Sequence, residues 1–199
     1  MSALLEADAA LNALGPTPFS LPLGPLAPVV EGAMLGFGRK GWVVTGPRER
    51  VGVVLRGCPV ERLVDGLAGA RPYRLAPCSV APGDRALHAV GLAMVSGEPV
   101  LCLLGLASAA SGAFHEALNL ASLHGAPVIF VVATLALGPD APVGAQLAGS
   151  PAAIASAHGL GAVRVTGSSE AVQAAVAEAR AAGGPRLIEA TYTAHSNRE

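Results

Sequence analysis

The 199-residue chain has a mass of 19.7 kDa, enough for one domain of ordinary size to bury a core without disulfides or a metal staple. Charged residues make up only 14% against a usual share of roughly 25%, which is little to cover a monomer and points to a buried subunit interface. The formal charge is -1 and Lys40 is the sole lysine, so there is no basic stripe to track a nucleic-acid backbone.

Residues 2 to 14 read as an amphipathic helix without a basic leader, so no secretory signal is expected. A Pro/Gly-rich connector follows. A short helix near 29 to 37 leads to "KGWVV". The segments "RERVGVVLRG" and "PVERLVDGLAG" then predict two more helices, the second with Pro59 in its first turn. Residues 70 to 83 read as loop.

From Asp84 a regular alternation begins. A helix over 84 to 96 precedes "PVLCLLG", a continuous apolar run bounded by Pro99 and Gly105, as expected of a strand buried on both faces. A helix over 112 to 124 precedes "APVIFVV". After a Pro/Gly loop come a helix near 150 to 158, the strand "AVRVT", a helix over 169 to 182 and the strand "PRLIEAT". The expectation is an α/β fold with a mostly parallel sheet between two helical layers. It forms a single domain over 1–199, with an irregular, helical part over 1–83 and the α/β core over 84–199. No apolar run reaches the roughly 18 residues of a membrane helix. Cys58, Cys78 and Cys102 have no metal-ligand spacing and read as small core residues of a reduced cytoplasmic protein.

The segments "ALHAVGLAM", "GAFHEALNLASLHGAPVIFVV" and "PRLIEATYTAHS" resemble the alpha subunit of the thiamine-diphosphate-dependent decarboxylase component of the pyruvate and branched-chain 2-oxo acid dehydrogenases. Weaker similarity runs back through "VVEGAMLG" and "GWVVTGPRERVGVVLRGCPVERL". The resemblance implies a thiamine-diphosphate-binding fold. It also implies an aspartate from a Gly-Asp-Gly turn and an oxygen from an Asn-Asn pair on a magnesium ion, which needs oxygen ligands to bridge a diphosphate. Here those positions are Gly105, Leu106, Ala107, and Thr134, Leu135. Leucine has no donor atom. The family's Tyr-Arg diphosphate clamp becomes Pro47 and Arg48, and the stretch expected against the aminopyrimidine ring becomes Val80, Ala81 and Pro82, where Pro82 lacks an N–H. His195 and Ser196 match a His-Ser pair of a family loop near the reaction centre, but two residues closer to Tyr192 than in the family pattern.

The resulting expectation is a non-catalytic relative of the alpha subunit that binds neither thiamine diphosphate nor magnesium, with the vacated pocket collapsed into core. Its partner would be a beta-subunit-like chain or a second copy. The alternative is an active alpha-type subunit, catalysing oxidative decarboxylation of a 2-oxo acid with altered cofactor contacts through Arg48, His195 and backbone groups. A third reading is a binder of some other small molecule in the remodelled cleft. His88 reads as a core histidine. His115 and Glu116 read as packing or interface groups, and "RER" beginning at Arg48 as a solvated helix start or an anion contact. "GLASAAS" is not a nucleophile elbow, so Ser108, Ser111 and Cys102 give a hydrolase no support.

Overall fold

The computed structural model describes residues 2–13, 22–63, 70–78, 81, 83–136 and 147–193. Five strands, β1 (Trp42–Val44), β2 (Val100–Gly105), β3 (Val128–Ala136), β4 (Gly161–Thr166) and β5 (Arg186–Thr193), form one sheet in the order β1-β2-β3-β5-β4. Every pairing is parallel.

Alternation along each strand sorts the core into two layers. Leu101, Leu103, Ile129, Val131 and Ile188 point to one face, and Val100, Cys102, Val128, Phe130 and Leu187 to the other. The first face is covered by α1 (Ala3–Ala13), α2 (Ala27–Phe37) and α7 (Ser169–Ala182). The second is covered by α3 (Asp84–Ser96), α5 (Gly112–His124) and α6 (Pro151–Ala157). This is the expected three-layer αβα arrangement. Buried Phe114 of α5 meets Phe130 of β3 edge-on, with ring centroids 6.2 Å apart. Burying such a side chain contributes roughly 1.5–3 kcal/mol.

Both long helices of the second face begin and end where residue chemistry requires. Ser111 caps α5 by accepting the Phe114 N–H at 3.2 Å. Gly97 and Gly125 follow α3 and α5 in the left-handed conformation. On the first face, α2 and α7 meet backbone to backbone. A Cβ on Gly32 would lie 2.3 Å from the Ser169 carbonyl oxygen, and one on Gly36 2.4 Å from that of Gln173.

The part before Asp84 differs from its sequence reading. The segments expected as two helices form 3-10 turns, Glu49–Arg56 and Val60–Leu63. Val51, Val53 and Val54 lower the helix propensity of the first. The expected loop over 70 to 83 contains a 3-10 turn, Arg71–Tyr73, closed by an Ala70–Leu75 bridge. "WVV" is an edge strand paired with β2, so the N-terminal part extends the sheet. His88 is exposed, not a core residue, because the buried face of α3 is built from Ala86, Ala89, Val90 and Ala93.

Candidate functional site

In sequence order the chain crosses from β1 to β2 to β3, jumps past β5 to β4, and returns to β5. Open parallel sheets bind ligands at the carboxyl ends of their strands, where the direction of winding reverses. Here the chain turns back at β4, and the positions singled out by sequence cluster at the carboxyl ends of β2 and β3.

Gly105 closes β2 opposite Ala133 of β3 and starts a short helix, α4 (Leu106–Ala109), that the sequence reading missed. Leu106 is half-buried, Ala107 is exposed and Ser108 is buried. Leu135, at the end of β3, is also half-buried. The expected collapse of these side chains into core therefore does not occur. The packed strand positions stop at Leu104 and Thr134, and the next residues sit at the rim of the sheet.

Thr134 is the one side-chain oxygen among the five mapped positions. It lies 3.1 Å from Thr191 Oγ1 and donates to the Ala190 carbonyl at 3.4 Å, so β5 already engages it. Leu106, Ala107 and Leu135 offer no donor. Among the described residues no group of three His, Cys, Asp or Glu could hold a metal. The side chains at these positions do not fit a magnesium diphosphate, because an ion of that charge needs paired oxygen ligands to leave water.

Arg48 is exposed at the start of the Glu49–Arg56 turn. The next two residues are not the solvated surface expected of "RER". Arg50 is 2% exposed, and the Glu49 side chain is 13% exposed and ion-paired with Arg85 of α3 at 3.5 Å. Arg85 also donates to the Leu103 carbonyl and to Ser108 Oγ, each at 3.4 Å. The pair thus lies directly beneath the Gly105–Ser108 turn. Burial pushes the Tyr192 phenol up, with Arg48 pulling it down and Glu49 adding to the rise. Sequence reasoning missed Glu49 and Arg85. Two opposite charges 36 residues apart give no local signal, although any buried charge is notable in so charge-poor a chain.

A cleft of about 770 Å³ opens beside the site, over the ends of β3, β5 and β4. Its floor carries Thr134, Thr191 and Thr166, which face one another in register. Arg164 and Glu189 flank it, paired at 3.3 Å, and Glu189 also accepts the Ala152 N–H at 3.1 Å.

The other candidates are scattered. His115 is half-buried and stacks edge-on against Phe114 and His158, with centroids 6.2 and 5.9 Å away, while Glu116 is exposed. That is packing geometry without a third orienting group. Cys58, Cys78 and Cys102 are buried and form no disulfide with one another. Ala81 is exposed. Val80, Pro82, His195 and Ser196 lie outside the described residues.

Comparison with known proteins agrees with this architecture. The chain superposes on transketolase from Campylobacter jejuni with a TM-score of 0.67 at 20% identity, covering 95% of this chain and 36% of that one. It superposes on transketolase from Leishmania mexicana with a TM-score of 0.63 at 16% identity, covering 96% and 37%. A putative thiamin diphosphate-dependent enzyme from Mycobacterium smegmatis gives 0.60 at 22% identity, covering 82% and 31%. The fold is the three-layer fold of thiamine-diphosphate-dependent enzymes. In sequence, the chain is 40% identical over 129 residues to the 3-methyl-2-oxobutanoate dehydrogenase subunit alpha of Mycobacterium tuberculosis, covering 59% of this chain and 35% of that protein. It therefore spans about a third of the length of the curated relatives it matches. The family of the dehydrogenase E1 component matches residues 87–197, more than half of the chain, and takes in β2 to β5 with the turn at Gly105: this protein belongs to that family.

Proposed function

We propose that the chain is a non-catalytic alpha-type component of a 2-oxo acid dehydrogenase, a structural or regulatory subunit that keeps the fold and contact surfaces of the family but does not bind thiamine diphosphate and magnesium. The observation that carries this reading is the set of side chains at the ends of β2 and β3. Leu106 and Leu135 stand where the family's metal ligands would be, and the Thr134 hydroxyl is already held by β5.

The partner is a beta-subunit-like chain or a second copy. Outer positions of the α3/α5 layer support this: Val95 is 91% exposed and Leu123 72%, with Met94 beside them. Apolar surface of that kind is normally covered in an assembly. Residues 1–199 act as one domain, since β1 and α2 complete the sheet and the layer begun after Asp84. Among the described residues no helix is long and apolar enough to cross a membrane, and three buried cysteines outside any disulfide suit a reducing cytoplasm.

One observation favours the active alternative. Arg48 remains exposed at the clamp position, available to an anionic cofactor whose metal ligands a partner would supply. The test is to isolate the chain with whatever co-purifies from its source cell and assay the assembly for decarboxylation of 3-methyl-2-oxobutanoate with thiamine diphosphate, magnesium and an electron acceptor. The proposal expects a beta-type chain or a homo-oligomer, and no turnover that depends on this subunit. Turnover that requires this chain and is lost on Arg48→Ala would overturn it.

A further inference from the structure

The Glu49–Arg85 pair has features of an occupied binding seat. Arg85 is 8% exposed, and its guanidinium holds a carbonyl at the end of β2, the Ser108 hydroxyl of α4 and one Glu49 oxygen. Its Nε, fully buried, has no partner among the described residues. A guanidinium can donate five hydrogen bonds and matches oxyanions in a two-pronged geometry. Here a single carboxylate oxygen at 3.5 Å serves it, leaving the cation incompletely satisfied.

Gly46 supplies an independent indication. Its φ is not among the positive values that would require glycine, so the backbone alone does not explain the residue. A Cβ there would lie 2.1 Å from Arg85 Nη1 and 2.6 Å from Glu49 Oε2. The glycine makes room for the paired charges. The site thus has a backbone wall without a side chain, against which the pair packs closely, a buried cation with an unmet donor, and an anion supplied from within the chain.

We infer that this is an oxyanion seat whose resident anion is the Glu49 carboxylate: the chain occupies its own site, and phosphate-type oxyanions enter only when the Glu49 side chain is removed. The inference rests on the reading of the neighbouring cofactor positions as vacated. It goes further in assigning to Arg85 the task of holding negative charge at the end of β2 without a metal. Removing one partner of a buried pair leaves the other uncompensated, and an external anion that binds only the folded protein stabilises it in proportion to the logarithm of its concentration.

The experiment compares the melting temperatures of wild type, Glu49→Ala and the double variant Glu49→Ala with Arg85→Met. Each is measured in inorganic pyrophosphate without magnesium and in sodium chloride of equal ionic strength. Glu49→Ala is expected to melt below wild type, and pyrophosphate to recover at least half of the loss in a concentration-dependent manner. Chloride should not, and neither wild type nor the double variant should respond to pyrophosphate. If Glu49→Ala does not accumulate folded, Glu49→Ser also empties the place of the carboxylate and carries the same expectation. Failure of pyrophosphate to raise the melting temperature of a folded Glu49 variant, or an equal rise in the double variant or in wild type, overturns the inference. Magnesium-dependent binding of thiamine diphosphate to wild type overturns the non-catalytic reading instead, so the two failures are distinguishable.

Discussion

Arginines sit at both ends of the parallel sheet and are engaged in different ways. At the amino ends of the strands, Arg56 donates to the carbonyls of Gly41, at 2.8 Å, and Arg39, while Arg180 donates to those of Lys40, at 2.9 Å, and Phe37. Their guanidiniums lie 5.9 and 4.6 Å from the Phe37 ring centroid. Burial and the neighbouring charges of Arg180 and Arg74 lower the Arg56 pKa to about 10, which leaves it charged at neutral pH. At the carboxyl ends, Arg85 faces a carboxylate; among the described residues each of the two buried guanidiniums keeps one unmet donor, Nη1 of Arg56 and Nε of Arg85, so the carboxylate is what sets them apart. Carbonyl dipoles and a ring face fasten a turn without opposing the cation with a full negative charge. A carboxylate opposite a guanidinium presents the charge that a ligand would bring.

The contrast is sharpest under substitution. Arg85→Met strands Glu49 in a largely buried place and should cost about 3 kcal/mol, on the order of 10 °C in melting temperature for a chain of this size. Arg56→Met removes charge-assisted bonds to carbonyls and should cost less, about 2 kcal/mol. Chemical denaturation of the two variants checks the order, and a larger loss at Arg56 would erase the distinction between the two ends.

Leu106→Asp should be milder still, roughly 1 kcal/mol or less, because a half-buried rim side chain forfeits only part of its burial term. Magnesium with thiamine diphosphate should not restore the loss, since Leu135 supplies no second oxygen. Melting with and without both ligands measures this, and a rise above wild type on adding them would show that the site needs only one carboxylate.

The last effect is absent at neutral pH and shows only in the pH dependence. Burial raises the Cys102 thiol from 9.0 to about 12. Stability held by keeping that thiol neutral is fully present below pH 9 and is lost as pH rises from there toward about 12. Wild type should therefore lose stability over that range more steeply than Cys102→Ala, as seen in denaturation midpoints against pH. Parallel alkaline limbs would show that the buried thiol plays no part.

What could be read from sequence follows from the range of the interactions involved. Helices α3 and α5 matched their expected bounds because glycine stops and a serine cap are local signals. The buried strands showed as apolar runs. The first layer was harder to read: the Glu49–Arg56 turn and the pairing of β1 depend on partners distant in sequence. His88 is a different case, since the stripe Ala86, Ala89, Val90, Ala93 already placed residue 88 on the far side of α3. The positions proposed as vacated were legible as residue types, Leu106 and Leu135. Their half-exposed setting was not, because it depends on where the packed sheet ends.

The most direct test of the vacated-site account is calorimetric titration of the folded chain with thiamine diphosphate, in magnesium and in its absence. The account predicts no saturable heat in either condition. Micromolar binding that requires magnesium would contradict it.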